Sequence, residues 1–195
     1  MKKGFLAYQL NYPKTDEAWQ KMKLTHDFVC IKVGQGKNVD SQLLNNLTKA
    51  KQFGLHSFLF WYLDGRYDAS AQAETCIKAI ENIDPNIMLF VDFEIYGIYK
   101  PTHENLNNFF ARFVSKNNRL LGIYTNSDSW INGAGNTTNY SSHPLWVADW
   151  HNAEPVLFGG WQNWFIWQHK DKDTETGFTA ELIQDWNLPT KQVDL

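Results

Sequence analysis

Only two cysteines occur in the 195 residues, Cys30 and Cys76. Two thiols cannot build the disulfide framework of a small secreted scaffold. Both fall in apolar-patterned segments, so buried free thiols are expected. Cations are sparse as well: 18 Lys and Arg against 21 Asp and Glu leave a formal charge of −3, with no basic cluster. A nucleic-acid groove needs such a cluster, which argues against nucleic acid as a partner. No run approaches the ~18 apolar residues of a membrane span. The start, "MKKGFLAYQLNYP", is too short and too polar in its apolar part for a secretion signal. The chain therefore reads as made in a cytoplasm, with no membrane insertion. The six His form no ligand-spaced cluster. A Gly-x-Ser-x-Gly elbow, a phosphate loop and a dinucleotide fingerprint are also missing, so neither metal nor cofactor is expected. Repeats, low-complexity tracts and linkers are lacking, which leaves residues 1–195 as a single domain.

Aromatic residues are plentiful, at 15% with nine Trp. That exceeds the need of a core and suggests a ligand surface of flat apolar faces. Strand-like and helix-like patterns alternate along the chain. Strands are expected at 4–9, 27–33, 56–62, 86–97, 120–125, 144–150 and 164–169, and helices at 38–54, 68–83 and 103–118. Near-continuous apolar strands separated by amphipathic helices imply a parallel sheet covered by helices, an α/β fold. After residue 125 the helices thin out while strands continue. The expected fold is an irregular (β/α) TIM-like barrel whose last strands are joined by loops. Polar and aromatic residues gather at the C-terminal strand ends: Tyr8, Lys32, Trp61, Tyr62, Tyr124, Trp150 and Gln168 among them. That end of a (β/α) barrel carries the active site.

The strand "NIMLFVDFEIYG" (86–97) stays apolar until Asp92 and Glu94. Side chains alternate, so Phe90, Asp92 and Glu94 share one face while Leu89, Val91 and Phe93 share the other. The apolar face belongs under the helices, which aims both acids into the barrel mouth, their Cα atoms roughly 6.6 Å apart. Two acids this close, beside Trp and Tyr rings, will not ionise independently: desolvation and repulsion raise one pKa while the other stays charged. Cleavage of a glycosidic bond uses such a pair, an acid for the leaving oxygen and an anion near the oxocarbenium centre. A solvated strand end or a metal-binding pair are the other readings of Asp-x-Glu taken alone.

Seven segments in order then resemble glycoside hydrolase family 25, the Chalaropsis-type lysozymes and phage endolysins. "FVCIKVGQG" (28–36) is similar to Phe-Val-Ile-Ile-Lys-Ala-Thr-Glu-Gly, and "GLHSFLFWY" (54–62) to a strand ending in Tyr-His-Phe. "LFVDFE" (89–94) resembles Leu-Asp-x-Glu, and "LGIYTNSDSW" (121–130) resembles Gly-Ile-Tyr-Thr. "PLWVADW" (144–150) resembles Leu-Trp-x-Ala-x-Tyr, "WFIWQH" (164–169) Trp-Gln-Tyr, and "IQDWN" (183–187) Val-Asp-x-Asn.

The resemblance implies cleavage of the β-1,4 bond between N-acetylmuramic acid and N-acetylglucosamine in bacterial peptidoglycan. By position it implies Glu94 as general acid, Asp92 as transition-state stabiliser that orients the substrate acetamido group, and Asp185 in support, with Asp194 as the competing match. Tyr62 and Tyr124 would line the sugar cleft. Trp61, Trp146, Trp150, Lys32, Gln35 and Gln168 are further substrate-binding candidates. A monomer is the default. Action at the cell wall would follow holin-type release or delivery within a phage particle. Three positions depart from the family pattern: Leu6 and Gln35 stand where it has acids, and Trp61 where it has His. These departures keep two alternatives open, a non-catalytic glycan-binding relative and a barrel hydrolase acting on another polysaccharide.

Overall fold

A computed structural model describes residues 2–170 and the strand at 181–184. Strand β1 (Lys2–Ala7) leads into helix α1 (Asp16–Thr25), β2 (Phe28–Gln35), a short β3 (Asn38–Val39), α2 (Leu43–Gln52) and β4 (His56–Tyr62). Then come α3 (Ala69–Ala79), β5 (Leu89–Asp92), α4 (His103–Val114), β6 (Leu121–Thr125), α5 (Ser127–Ala134), β7 (Leu145–Ala148), β8 (Ile166–Lys170) and β9 (Glu181–Gln184). Strands β2, β4, β5, β6, β7 and β8 pair side by side in parallel. β1 pairs with β2 in parallel and with β9 in antiparallel sense, and β9 also pairs antiparallel with β8. The fold is α/β, a curled and mainly parallel sheet with helices outside.

Period-two alternation divides the apolar residues into two bodies. Outward from the sheet, Val29, Ile31, Leu59, Trp61, Leu89, Val91, Phe93 and Ile123 pack with Ala73, Cys76, Phe109 and Phe113 of the helices. Inward, Phe28, Cys30, Phe58, Phe60, Phe90, Tyr124, Trp146 and Phe165 form a second body. The expected split of the Asp92 strand is found: Leu89, Val91 and Phe93 lie under the helices, and Phe90 lies inside. The inner rings meet edge to face, Phe28 on Phe58 at 5.5 Å and Phe58 on Phe165 at 5.6 Å, a favoured aromatic geometry. Gly122 has no side chain because the Phe90 ring occupies its place, 2.5 Å from where a Cβ would stand. Cys30 and Cys76 are buried free thiols.

Several element boundaries differ from the sequence reading. The stretch 38–54 opens as β3, because Gly36 turns the chain at φ +58° and Asn38 pairs back to Gln35. Asp40 then accepts a hydrogen bond from the Gln42 amide and releases the chain into α2. Helix α1 was not anticipated, although Thr15 caps it by accepting from the Ala18 amide, and Trp19 and Met22 bury its inner face. Helix α5 was missed too. Its cap is Asn126, accepting from the Ser129 amide, and Gly135 ends it in the left-handed region. So β6 and β7 are joined by a helix, and the expected helix-free connection begins only after β7. No helix among the described residues is long and apolar enough to cross a membrane.

Candidate active site

The inward face, followed to the C-terminal ends of the strands, changes from rings to polar groups around a cavity of about 230 Å³. β1 contributes Leu6, β2 Lys32, β4 Phe60 and Tyr62, and β5 Asp92, with Glu94 just beyond it. β6, β7 and β8 add Tyr124, Trp146 and Gln168, and Tyr8 follows β1. Register explains the convergence: Tyr62, Asp92, Tyr124 and Trp146 are successive cross-strand partners, so their side chains emerge at one height.

Asp92 is 4% exposed, and burial together with the neighbouring Glu94 pushes its pKa well up, against a pull downward from Lys32. Burial also raises the pKa of Glu94, while hydrogen bonds from Tyr124 and Asn126 work the other way. Tyr124 Oη donates to Glu94 Oε1 at 3.4 Å and Asn126 Nδ2 donates to the same oxygen at 3.3 Å. Two desolvated carboxyls facing one cavity behave as a coupled pair that keeps a proton to higher pH than a free carboxylate would. Among the described residues, four buried atoms on the lining have no hydrogen-bond partner: Asp92 Oδ1, Tyr62 Oη, Trp146 Nε1 and Gln168 Oε1. Buried polar atoms are normally paired, and four orphans around one hollow mark a place for a polar ligand.

The cavity thus gathers Asp92, Glu94, Tyr62, Tyr124, Trp146, Lys32 and Gln168 of the expected site residues. Gln35 accepts from Lys32 Nζ at 3.0 Å and lines an adjoining cavity of about 220 Å³ with Lys32, Asp64, Arg66 and Tyr99. Trp150, 48% exposed, lines a third hollow that also includes Asn126. Trp61 is the correction. Its neighbour Tyr62 faces inward, so alternation turns Trp61 outward, to 0% exposure in the layer under the helices, where its Nε1 donates to Gln72 at 3.4 Å. Asp185 and its competitor Asp194 lie outside the described residues. Asn126 was not picked out from the sequence. Its signal was its place two residues past Tyr124, at the cap of a helix. Among the described residues no group of three or more His, Cys, Asp or Glu is placed to hold a metal ion.

The family model described as glycosyl hydrolases family 25 matches residues 9–178. The chain belongs to that family. Counting factor 50 of Dictyostelium discoideum is 23% identical over 184 residues, which cover 86% of this chain and 61% of that protein. The chain thus spans less than two thirds of the length of this relative. Among solved structures, a muramidase from Trichobolus zukalii superposes with a TM-score of 0.78 at 21% identity, over 96% of this chain and 95% of that one. A family 25 lysozyme from Aspergillus fumigatus gives 0.76 at 23% identity, over 94% and 93%. At these identities the solved structures share the fold with this chain.

Proposed function

We propose that this family 25 member is a peptidoglycan hydrolase that cleaves the β-1,4 bond between N-acetylmuramic acid and N-acetylglucosamine. The observation that carries the reading is the pair of buried Asp92 and half-buried Glu94, facing an aromatic-walled cavity with unpartnered polar atoms on its lining. The names muramidase and lysozyme borne by its structural neighbours support the substrate class. Glu94 is the general acid for the leaving oxygen. Asp92 stabilises the charge that develops at the anomeric carbon, by orienting the substrate acetamido group as internal nucleophile.

The division of roles follows from the pair's surroundings. Before substrate arrives, burial weighs more heavily on Asp92, while Tyr124 and Asn126 favour the Glu94 anion. An acetamido N–H donated to the orphan Asp92 Oδ1 reverses that balance, because a hydrogen bond to the charged form favours it. The shared proton then moves to Glu94, where the leaving oxygen needs it. Tyr62, Tyr124 and Trp146 offer apolar faces to the sugar rings.

We read the curled sheet as an irregular (β/α) barrel, on the pairing of β1 with both β2 and β9. Residues 1–195 act on this reading as one monomeric catalytic domain, with Asp185 as a supporting acid. The cell wall is reached by holin-type release or within a phage particle. A non-catalytic glycan-binding role is the competing reading, favoured by Leu6, an apolar side chain on the cavity wall beside the acids. Mass spectrometry of fragments from purified Gram-positive peptidoglycan separates the two. The native protein should release fragments ending in reducing N-acetylmuramic acid, and Glu94→Gln should release none. Retained binding to sacculi without any release by the native protein would install the binding reading instead.

A further inference from the structure

Lys32 is the one cation on the wall of the carboxylate cavity among the described residues. It points inward because Phe28 and Cys30, four and two residues before it, do the same, and the strand register shifts immediately after it. Its ammonium lies 5.9 Å from the Tyr8 ring centroid and 5.4 Å from that of Tyr62. Tyr62 is the cross-strand partner of Asp92, so the ammonium sits over the ring next to the acid. Its hydrogen-bond acceptor is the Gln35 side-chain oxygen, which is neutral. No ion pair within 4.0 Å holds it among the described residues.

Two further acids stand on this side, neither of them on the lining of the carboxylate cavity, and Asp40 acts on the Lys32 charge after Asp92. Asp40 accepts from the backbone amides of Gln9 and Gln42. Asp64 is forked by Arg66, with contacts of 3.0 and 2.7 Å. Tyr62 and Tyr124 are held neutral, since burial and the carboxylates raise both hydroxyls. The cavity therefore contains one ammonium and two carboxyls. It is uncharged when those carboxyls share one proton, and a low-dielectric site favours that state.

We propose that Lys32 is the counter-ion of the Asp92/Glu94 pair, a positioning residue that keeps one negative charge on the two carboxyls. It is free to serve because Gln35 is neutral. The role in turnover rests on the catalytic reading of that pair; the electrostatic coupling does not. Burial lowers the pKa of Lys32 and the acids around it, Asp92 first, raise it again. The ammonium and the pair thus support each other's charge. A carboxylate at position 35 would draw the ammonium to itself and leave the pair with an uncompensated anion.

Gln35→Glu, Lys32→Met and Lys32→Arg test this against the native protein, with two readouts. The first is the pH profile of kcat/KM on purified peptidoglycan. Removing positive charge, or adding negative charge, makes the Asp92/Glu94 anion harder to form. The acidic limb should therefore move to higher pH by about one unit in Gln35→Glu and by at least that in Lys32→Met. Lys32→Arg keeps the charge and should keep the limb. A residue needed only for packing would lower the rate without moving the limb. The second readout is the titration of the Asp92 and Glu94 side-chain carbons by carbon-13 NMR, which needs no turnover. Titrations of Gln35→Glu and Lys32→Met that coincide with the native curve would overturn the proposal. A native protein that releases no fragments, yet whose carboxyl titration moves as stated, would retain the counter-ion and remove the catalytic reading.

Discussion

Toward the N-terminal ends of the strands, Phe28, Phe58, Phe90 and Phe165 fill the inside of the sheet ring against ring. A few residues further along the same strands, and on the same face, stand Lys32, Tyr62, Asp92 and Gln168. The lower end is an apolar plug. The upper end holds four buried polar atoms without partners and two carboxyls taken out of water. One alternating face thus runs from rings packed on one another to a group of polar atoms without partners. Unsatisfied burial costs stability, so its concentration at one end marks where selection for function outweighed selection for packing.

Asp92→Asn should break this contrast most strongly. Hydrolysis should fall about 10³-fold, or ~4 kcal/mol on the barrier, because the anion beside the reacting carbon is gone. The melting temperature should rise by a few degrees at the same time. The sign follows from the raised pKa. A carboxyl whose folded pKa lies above its unfolded value supports the fold at low pH, and that support is lost as pH rises through the folded pKa. The native protein should therefore lag the variant most near pH 8 and converge with it near pH 4. Thermal unfolding at both values checks this, and a variant less stable than native at pH 8 would count against the buried charge.

Phe58→Ala probes the other end of the same face and should give the opposite pair of outcomes. Loss of the ring from the plug should cost about 3 kcal/mol of stability. Turnover at a temperature where the variant is still folded should stay near native, since Phe58 does not reach the cavity. Urea unfolding and initial rates measured together would show whether the two ends are separable. A large loss of kcat in folded Phe58→Ala would mean the plug sets the geometry of the acids.

The strands and their two faces were legible in the sequence, because a period of two needs only a run of alternating residues. Phe90 and Asp92 were placed on one face on that basis, with Leu89, Val91 and Phe93 opposite them, while Glu94 joins the cavity from just past the end of β5. Trp61 was misplaced for want of the same argument: beside an inward Tyr62 it has to face out. Helix α1 was missed because its apolar residues do not keep to one face, Leu24 standing exposed while Trp19 and Met22 are buried, and α5 because it has only eight residues. Their Thr15 and Asn126 caps were the available signal. Lys32 and Gln168 could be nominated from strand ends. Their meeting with Tyr124 and Trp146 depends on register between strands far apart in sequence, which no local pattern encodes. Trp61→Phe tests the corrected placement. It should cost about 1–2 kcal/mol of stability by leaving a small void under the helices, with kcat/KM unchanged.

Trp150→Ala should have the smallest effect, and it asks where the functional end stops. Unlike Trp61, this ring is half exposed and lines a hollow shared with Asn126. A sugar unit beyond the cleaved pair would gain apolar contact there, so its loss should weaken binding by about 1 kcal/mol, roughly a fivefold rise in KM. The value of kcat should hold, because a contact made equally in ground and transition states changes affinity alone. Asn126 makes the split informative. Its amide donates to Glu94 Oε1, so a disturbed Asn126 would appear in kcat and in the pH profile. A fall in kcat with KM unmoved would place Trp150 in support of the acid pair. A rise in KM alone would extend the glycan cleft to the loop after β7.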